Sequence, residues 1–437
     1  MHRVGLFWFN HDLRIDDNIA LNFAAAQVDQ LLCLYCLPPS SKGIDSTEPS
    51  ALSRHRLQFL LESLQDLDRS LKSYQQHLLV TYDSGVSAIA QLITQHNITQ
   101  VFCSTPTGYY EQQQWQVLAQ RYRMIGFHAI DNNRLFSLEQ LPFELSDLPS
   151  SFSKFRRAVE SITVPSPALR LASLPPSPAS PQTWLAHFPS FEKNKTALFK
   201  GGEQSGAAHV SRYFEQELAS TYKQTRNGLD GMDYSTKFSP WLANGGLSPR
   251  RAIHELRRYE QRVESNDSTY WIYFELLWRE YFHRYAQKYG GRLFSFAGIS
   301  GQRPITSFYP QRFKKWCCGT TPYPIVNACM LQLNSTGYLS NRGRQWVASC
   351  LVHELAIDWR YGAAYLEQQL VDYDVACNWG NWQYLAGVGA DPRGHRRFNL
   401  EKQTKTYDPD GVFTARWQGD FSHATLDHVD AADWPIE

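Results

Sequence analysis

Short apolar runs alternate with helical segments over residues 1–130, and this alternation constrains the fold more than any other feature of the chain. The runs typical of buried parallel strands are VGLFWF at 4–9, LLCLYC at 31–36, LLVTY at 78–82 and QVFCS at 100–104. Amphipathic helical patterns occur at 51–73 and 111–124. The alternation predicts an α/β domain with a doubly wound parallel sheet. No GxGxxG motif follows the first run, so a dinucleotide is not indicated there, although the topology allows a ligand at the C-terminal strand ends.

The chain changes character twice after this domain. Residues 131–204 contain LPPSPASP and few periodic runs, which predicts a linker along the surface. From residue 205 to residue 437 we expect an all-α domain. Its predicted helices lie at about 206–222, 248–261, 268–289, 324–335, 342–358 and 361–372.

Charge and cysteine usage narrow the class of protein. Lys and Arg number 43 against 42 Asp and Glu, so the net charge of +1 gives no global attraction to nucleic acid or membrane, and a polyanion site must be a local patch. The eight cysteines lie mostly in apolar segments, which disfavours a zinc site or a disulfide framework. No secretory signal and no apolar run of about 18 residues is present. We therefore expect a cytoplasmic protein without a membrane partner.

The stretch from Tyr338 to Tyr384 concentrates amides, carboxylates and indoles at helical spacing. One predicted helix face carries Val347, Leu351, Leu355 and Asp358. A second register carries Asp374, Asn378 and Trp382 at steps of four. An acceptor, an amide and a stacking surface on one face can hold a flat aromatic ligand with polar edges. Spacing alone also allows a Trp-rich core helix with polar ends.

A Gly- and Ser-rich loop occupies residues 225–250. Its hydroxyls at Ser235, Thr236 and Ser239, together with backbone N–H groups, can cradle a phosphate. The alternative is a plain connector. Further on, Glu275 and Trp278 are three residues apart in a predicted helix, so they either share one side of a cavity or belong to a core helix with an exposed ion pair.

Basic residues cluster after the Trp-rich stretch. The cluster contains Arg393, Arg396, Arg397, Lys402 and Lys405. Basic residues beside aromatic ones are typical of a nucleic-acid groove, and a solvated charged loop is the commoner alternative.

Long motifs in a fixed order resemble the cryptochrome/photolyase family, and within it the DASH-type cryptochromes. They are GLFWFNHDLRIDDNIAL, TRNGL, YSTKFSPWLANGGLSPR, YWIYFELLWREYF, GYLSNRGRQWVAS, DWRYGAAYLEQQLVDYDVACNWGNWQYLAGVGADPRG and KTYDPDG. The resemblance covers essentially the whole chain. It implies an N-terminal α/β antenna domain at 1–130 and a helical FAD-binding domain at 205–437.

The resemblance also implies which residues hold FAD. The residues at matching positions are Tyr222, Ser235, Thr236, Phe238, Ser239, Glu275, Arg279, Arg344, Asp372, Asp374 and Asn378. Asn378 matches the position that faces flavin N5. A neutral amide cannot readily supply a proton to the flavin, whereas a carboxyl group can. Asn at this position therefore favours repair chemistry over signalling through a flavin radical.

The substrate pocket implied by the resemblance contains Glu275, Trp278, Asn341, Gln345, Tyr384 and Arg396. Gln345 and Tyr384 are DASH-like choices where duplex photolyases tend to carry Met and Trp. Base–aromatic stacking is worth about 1–3 kcal/mol per base. Extruding a dimer from a duplex costs a few kcal/mol, and almost nothing from a single strand. We therefore expect a preference for single-stranded, dimer-containing DNA. We also expect the protein to be a monomer.

Two positions depart from the family pattern. The relay tryptophans match at Trp382 and Trp359, but the outermost position holds Thr306, so either another aromatic such as Tyr309, Trp316 or Tyr361 takes over, or cellular reductants reduce the flavin. The first motif holds Asn10 where many relatives have Arg, which weakens the expectation of a second chromophore. Glu111 is the candidate contact for a folate antenna, 5,10-methenyltetrahydrofolate.

The resemblance predicts a blue-light-driven lyase that splits cyclobutane pyrimidine dimers with an electron from reduced FAD. In this reading Glu275, Asn341 and Asn378 are the catalytic residues. The alternatives are a photoreceptor that binds nucleic acid or a regulator, and a light-independent flavoprotein.

Overall fold

A computed structural model describes residues 3–37, 52–178, 194, 197–390, 396–420 and 425–427. The chain forms two compact units, each assembled from separate segments. The first unit contains Met1–Lys223, Thr236–Gly290 and Val371–Cys377. The second unit contains Gln224–Ser235, Gly291–Leu370 and Asn378–Glu437.

A five-stranded parallel sheet forms the centre of the α/β part of the first unit. Its strands are β1 Val4–Phe9, β2 Gln30–Cys36, β3 Leu78–Thr81, β4 Gln100–Ser104 and β5 Gly126–Ile130, in the order β3-β2-β1-β4-β5. The sequence predicts the first four strands and misses β5. As an edge strand β5 is only partly buried, so its sequence GFHAI lacks a continuous apolar run.

Helices cover both faces of this sheet, as the doubly wound prediction requires. The first four are α1 Ile19–Gln27, α2 Arg54–Lys72, α3 Gly85–His96 and α4 Tyr109–Arg121. Phe7 and Phe9 pack in one core cluster with residues of α1 and α2. Leu6 and Trp8 point the other way and pack with residues of α3 and α4. The alternation along β1 explains why this strand is apolar throughout.

A short helix, α5 Phe152–Val159, lies inside the predicted linker. Phe152, Phe155 and Val159 are its buried residues. An eight-residue helix spans about two turns, which is too short for a clear helical period in the sequence.

Three of the five remaining helices of the first unit lie close to their predicted positions, and the two short ones, Tyr222–Thr225 and Ser239–Asn244, lie where the sequence predicts no separate helix. The five helices are α6 Glu203–Glu215, α7 Tyr222–Thr225, α8 Ser239–Asn244, α9 Pro249–Arg262 and α10 Asp267–Tyr289, of which α7 runs past the end of the unit's first segment. The single helix predicted at 206–222 is wrong in its last part. Glu217 has a φ of 56°, in the left-handed region, and a 3-10 turn at Leu218–Thr221 follows it.

The later helices are α11 Pro310–Cys318, α12 Pro324–Thr336, α13 Asn341–Ser349, α14 Trp359–Gln369, α15 Val375–Leu385, α16 Leu400–Tyr407 and α17 Val412–Arg416. One turn of π-helix, Cys350–Glu354, follows α13. Among the described residues, every helix is too short or too polar to span a bilayer.

The continuous helix predicted at 342–358 is wrong. Ala356 has a φ of 54°, and Ile357 forms an isolated bridge with Ser307. Asp358 then accepts a hydrogen bond from the N–H of Arg360 and caps α14. Asp358 therefore does not share a helix face with Val347.

Candidate functional site

Trp278 on α10 is held in place by stacking on a second aromatic ring. It is half-buried, and its indole lies on Phe152 of α5 with 3.7 Å between ring centroids and 12° between ring planes. Phe152 in turn packs edge-on against Phe274 at 5.1 Å. Glu275, also half-buried, lies one turn before Trp278. The stack makes the indole a fixed flat surface on the first unit.

Arg279 brings a guanidinium beside the carboxylate of Asp374. Its Nη1 donates to the carbonyl of Asn133 at 2.8 Å and its Nη2 to the carbonyl of Leu242 at 3.2 Å. The same Nη2 lies 3.9 Å from Oδ2 of Asp374, which directly precedes α15. The first unit therefore joins two of the residues predicted to bind FAD.

His283 completes this cluster and is not among the residues predicted from the sequence. Its Nε2 lies 2.7 Å from Oδ2 of Asp374. Burial, assisted by Arg279, lowers the pKa of His283 to about 4, so the imidazole is neutral at pH 7 and donates through Nε2–H. The spacing of four residues from Arg279 along α10 is the signal that would have found it.

The carboxyl group of Asp374 is a fixed negative charge. Burial raises its pKa, but His283, Arg279 and the backbone N–H of Cys377 outweigh burial and hold the pKa well below its usual range. His283, Asp374 and Cys377 also offer potential metal ligands within 4.8 Å of one another. Both oxygens of Asp374 are already engaged, Oδ2 with Nε2 of His283 and Oδ1 as acceptor from the backbone N–H of Cys377, so we interpret the group as a hydrogen-bonding cluster.

The cluster suits a flat ligand with polar edges. Within the described residues, the buried Nδ1 of His283 has no hydrogen-bond partner. A neutral imidazole that donates through Nε2 presents Nδ1 as an acceptor, and Asp374 and Arg279 supply an anionic acceptor and a cationic donor. The ring system of FAD carries both N–H and carbonyl groups at its edge, so these residues fit FAD.

The loop that precedes α8 combines buried rings with partly accessible hydroxyls. Tyr222 and Phe238 are 7% and 2% exposed, so both belong to the core. The predicted phosphate residues Ser235, Thr236 and Ser239 are half-buried, and Ser235 belongs to the second unit. The hydroxyl positions are thus accessible enough for a ligand contact.

The second unit holds both predicted relay tryptophans in its core. Trp382 is 2% exposed and packs on Gly362 of α14, where a Cβ atom would lie 2.3 Å from the indole. Trp359 is fully buried, and its indole N–H donates to the carbonyl of Phe296 at 3.0 Å. One turn before Trp382, Nδ2 of Asn378 donates to the carbonyl of Ala363 at 3.0 Å. These contacts fix the orientation of the Asn378 amide and the Trp382 indole.

Two of the predicted substrate residues meet in the second unit. The guanidinium of Arg396 lies over the ring of Tyr384, 4.5 Å from its centroid. Oε1 of Gln345 accepts a hydrogen bond from Nη1 of Arg342 at 2.9 Å. Asn341, the first residue of α13, is exposed. This unit therefore presents a cation–π pair and two amides at partly or fully accessible positions.

The predicted charged contacts Arg344 and Asp372 lie in different units. Nε of Arg344 donates to the carbonyl of Leu339 at 2.9 Å, and its guanidinium lies over the ring of Tyr338. Asp372 is 6% exposed. Their assignment to FAD stays a prediction.

The predicted basic groove is less positive than its composition indicates. Arg397 pairs with Glu354 at 3.0 Å and Lys405 pairs with Glu401 at 2.6 Å. Arg393 lies outside the described residues. Glu354, from outside the cluster, and Glu401, on α16 with Lys405, therefore neutralise part of the positive charge of the cluster.

Glu111, the predicted antenna contact, and Asn10, the departure from the family pattern, both make local contacts. The carboxylate of Glu111 lies in the first turn of α4, next to Gly108, where a negative charge stabilises the helix N-terminus. The backbone N–H of Asn10 donates to Oδ1 of Asp12 at 2.8 Å. These contacts neither require nor prevent a second chromophore.

Comparison with known proteins agrees with these features. The family model described as "DNA photolyase" matches residues 5–179, and the one described as "FAD binding domain of DNA photolyase" matches residues 271–434. A cryptochrome DASH of Idiomarina loihiensis is 53% identical over 100% of this chain and 97% of its own length. A cryptochrome DASH of Vibrio parahaemolyticus is 52% identical over 99% of this chain and 97% of its own length. The crystal structure of a Synechocystis cryptochrome covers 98% of this chain and 91% of its own, with a TM-score of 0.87 and 37% identity.

Proposed function

Because the chain belongs to the cryptochrome/photolyase family, among the DASH cryptochromes, we propose that it is a blue-light-driven, FAD-dependent lyase that repairs cyclobutane pyrimidine dimers in single-stranded DNA. The observation that carries the proposal is the stack of Trp278 on Phe152, with Glu275 one turn away on α10. A base needs a flat, immobile aromatic surface to stack on, and this stack supplies one.

When bound, reduced FAD supplies under blue light the electron that opens the cyclobutane ring, and it recovers that electron afterwards. Asp374, Arg279 and His283 are held together by their mutual contacts and would bind the polar edge of such a ligand. Asn378 contributes a neutral amide that has no acidic proton to give. The residues of the chain thus bind the cofactor and withhold a proton from it.

Glu275 and Trp278 contact the dimer in this proposal. Trp278 stacks on one base, and Glu275 acts as a neutral carboxyl group whose O–H donates a hydrogen bond to the dimer and stabilises the negative charge that develops when the electron arrives. Asn341, Gln345, Tyr384 and Arg396 remain substrate contacts proposed from the resemblance.

The proposed preference for single strands rests on two free energies of similar size, that of base stacking and that of extrusion from a duplex. Base–aromatic stacking contributes about 1–3 kcal/mol per base, and extruding a dimer from a duplex costs a few kcal/mol. Tyr384 offers less stacking area than the Trp typical of duplex photolyases. A pocket with reduced stacking energy therefore keeps substrates that need no extrusion.

The test is to illuminate reduced, FAD-loaded protein with dimer-containing oligonucleotides, single-stranded and duplex, and to quantify the restored bases. We expect light-dependent restoration, faster on single strands. Glu275→Gln, which keeps the shape of the side chain, should slow repair. The FAD content of the purified variant, compared with the wild type, separates this repair role from the FAD contact that the resemblance also implies for Glu275. Absence of restoration on single strands would refute the proposal. Light-driven flavin reduction without repair would instead favour the photoreceptor.

We further propose that the protein is a cytoplasmic monomer and that 5,10-methenyltetrahydrofolate is its antenna, near Glu111. The absorption spectrum of the chromophores released from purified protein tests the antenna. A spectrum of FAD alone would contradict it.

A further inference from the structure

The predicted electron route to the surface is interrupted in the second unit. Its outermost position is Thr306, whose side chain has no ring to carry a radical. The Thr306 hydroxyl is buried and has no hydrogen-bond partner among the described residues. Trp359, the preceding relay residue, is fully buried. An electron route from Trp382 to solvent therefore needs another outlet.

A second series of aromatic rings begins at Trp382. Its indole lies 6.3 Å from that of Trp316, between ring centroids and at 70° between planes. Trp316 is fully buried, and its N–H donates to the carbonyl of Val347 at 3.0 Å. The ring is thus fixed next to Trp382, and indole is one of the side chains that can be oxidised by one electron.

Trp316 contacts two further rings. Tyr365 lies 5.6 Å away and Phe313 6.0 Å away. The hydroxyl of Tyr365 donates to Oδ1 of Asn334 at 2.7 Å, and burial raises the pKa of this phenol. An oxidised tyrosine must release its proton, and an amide oxygen is a poor proton acceptor. Tyr365 is therefore not a suitable terminus.

Phe313 connects Trp316 to aromatic rings at the surface of the protein. Its ring lies 5.8 Å from that of Tyr361, and Tyr361 stacks on Phe308 at 4.1 Å. Tyr361 and Phe308 are each 40% exposed. The phenol of Tyr361 is therefore better placed to release a proton to water than that of Tyr365, which is half-buried and bonded to Asn334.

We propose that Trp316 and Tyr361 replace the missing third tryptophan as the electron donors for light-driven reduction of FAD. This proposal rests on the proposed light-driven function. Each photochemical event would move one electron, from Trp382 to oxidised FAD, from Trp316 to Trp382 and from Tyr361 to Trp316 across the intervening ring of Phe313. Two such events would supply the two electrons that full reduction of FAD needs. Phe313 is not itself oxidised. Tyr361 loses its proton to water, and a soluble thiol then returns a hydrogen atom to it.

The test is flash spectroscopy and transient electron paramagnetic resonance on oxidised, FAD-loaded protein. We expect a tyrosyl radical in the wild type. Tyr361→Phe should abolish this signal and slow photoreduction, and Trp316→Phe should do the same. The pair Trp346 and Tyr407, whose rings lie 5.8 Å apart in the same unit, supplies matched controls. Trp346→Phe and Tyr407→Phe should leave the radical and the rate unchanged.

A tyrosyl signal that survives in Tyr361→Phe would overturn the route, and so would a wild-type photoreduction rate in Trp316→Phe. Tyr361 is a surface residue, so its variant tests the route even where Trp316→Phe fails to fold. Repair by chemically prereduced enzyme separates the two proposals. If prereduced wild type does not repair dimers but photoreduces through Tyr361, the lyase function fails and the route stands. If it repairs dimers and Tyr361 is dispensable, the route fails alone.

Discussion

Phe152 and Trp278 lie face to face with 3.7 Å between their ring centroids, although they are far apart in the sequence. Phe152 is 5% exposed and sits on α5, the short helix within the predicted linker. One face of the indole is therefore covered by protein. Phe152 can therefore orient the indole of Trp278 without touching the substrate itself.

Replacement of Phe152 by Leu should weaken binding of single-stranded, dimer-containing DNA. The aromatic contact is worth about 0.5–1.5 kcal/mol beyond its buried area, which corresponds to about a two- to tenfold increase in Kd. Fluorescence anisotropy in the dark measures this Kd. Phe143→Leu is the control, because Phe143 packs edge-on against Phe155 at 6.0 Å and not on Trp278. Equal Kd values for the two variants would show that the stack does not position Trp278.

Replacement of Gly362 by Ala should displace Trp382 and slow photoreduction. The added Cβ would lie 2.3 Å from the indole, and overpacking of this kind costs about 1–3 kcal/mol of unfolding free energy. Trp382→Phe alone should also slow photoreduction while sparing repair by prereduced enzyme. In the Trp382→Phe background the smaller ring leaves room, so Gly362→Ala should destabilise the protein less. Additive losses in the double variant would contradict the contact, and an unchanged photoreduction rate in Trp382→Phe would contradict the role of Trp382.

Acidification should destabilise the first unit through His283. Burial lowers its pKa from an ordinary value of 6.5 to about 4. Between these pH values the unfolded chain binds a proton that the folded chain does not, so the unfolding free energy falls as pH falls, by about 3 kcal/mol over the whole range. Urea unfolding at pH 7 and pH 4.5 measures the loss.

His283→Gln is the matched variant for this pH dependence. Its amide nitrogen can still donate to Asp374, but it does not titrate. The variant should lose less stability than the wild type between pH 7 and pH 4.5. Parallel losses would show that other groups cause the acid sensitivity.

Loss of the buried ion pair between Arg250 and Asp17 should lower the free energy of unfolding far more than loss of the neighbouring pair between Arg251 and Asp16. Arg250 donates to both carboxylate oxygens of Asp17 at 3.0 Å, and the carboxylate is fully buried. Arg250→Met removes the cation that pairs with the buried carboxylate, which lowers the free energy of unfolding by about 3–5 kcal/mol. Arg251 makes the same bidentate contact with Asp16 at 2.8 Å, but both side chains are 30% exposed. Arg251→Met should cost at most about 1 kcal/mol, and urea unfolding that ranked the two variants alike would refute this difference.

The α/β half of the molecule could be predicted because its signal is local. A strand such as β1 is covered on both faces and must be apolar throughout, and its neighbouring helices keep a regular period. The signal fades where burial is partial, as in β5, or where an element is short, as in α5. In the helical half, the break after α13 depends on the pairing of Ile357 with Ser307, a contact between segments that no local pattern encodes.

For the site, residue types and spacing indicated that Asp374, Asn378 and Trp382 could form a ligand face or a Trp-rich core helix, and the family resemblance favoured the ligand face. The partners of these residues come from other parts of the chain. His283 reaches Asp374 across 91 positions, and Trp316 reaches Trp382 through packing between helices. Hydrogen bonds and ring contacts act over a few ångströms, so they depend on which segments folding brings together. The charge on Asp374, the orientation of Trp278 and the proposed outlet through Tyr361 therefore depend on the folded chain.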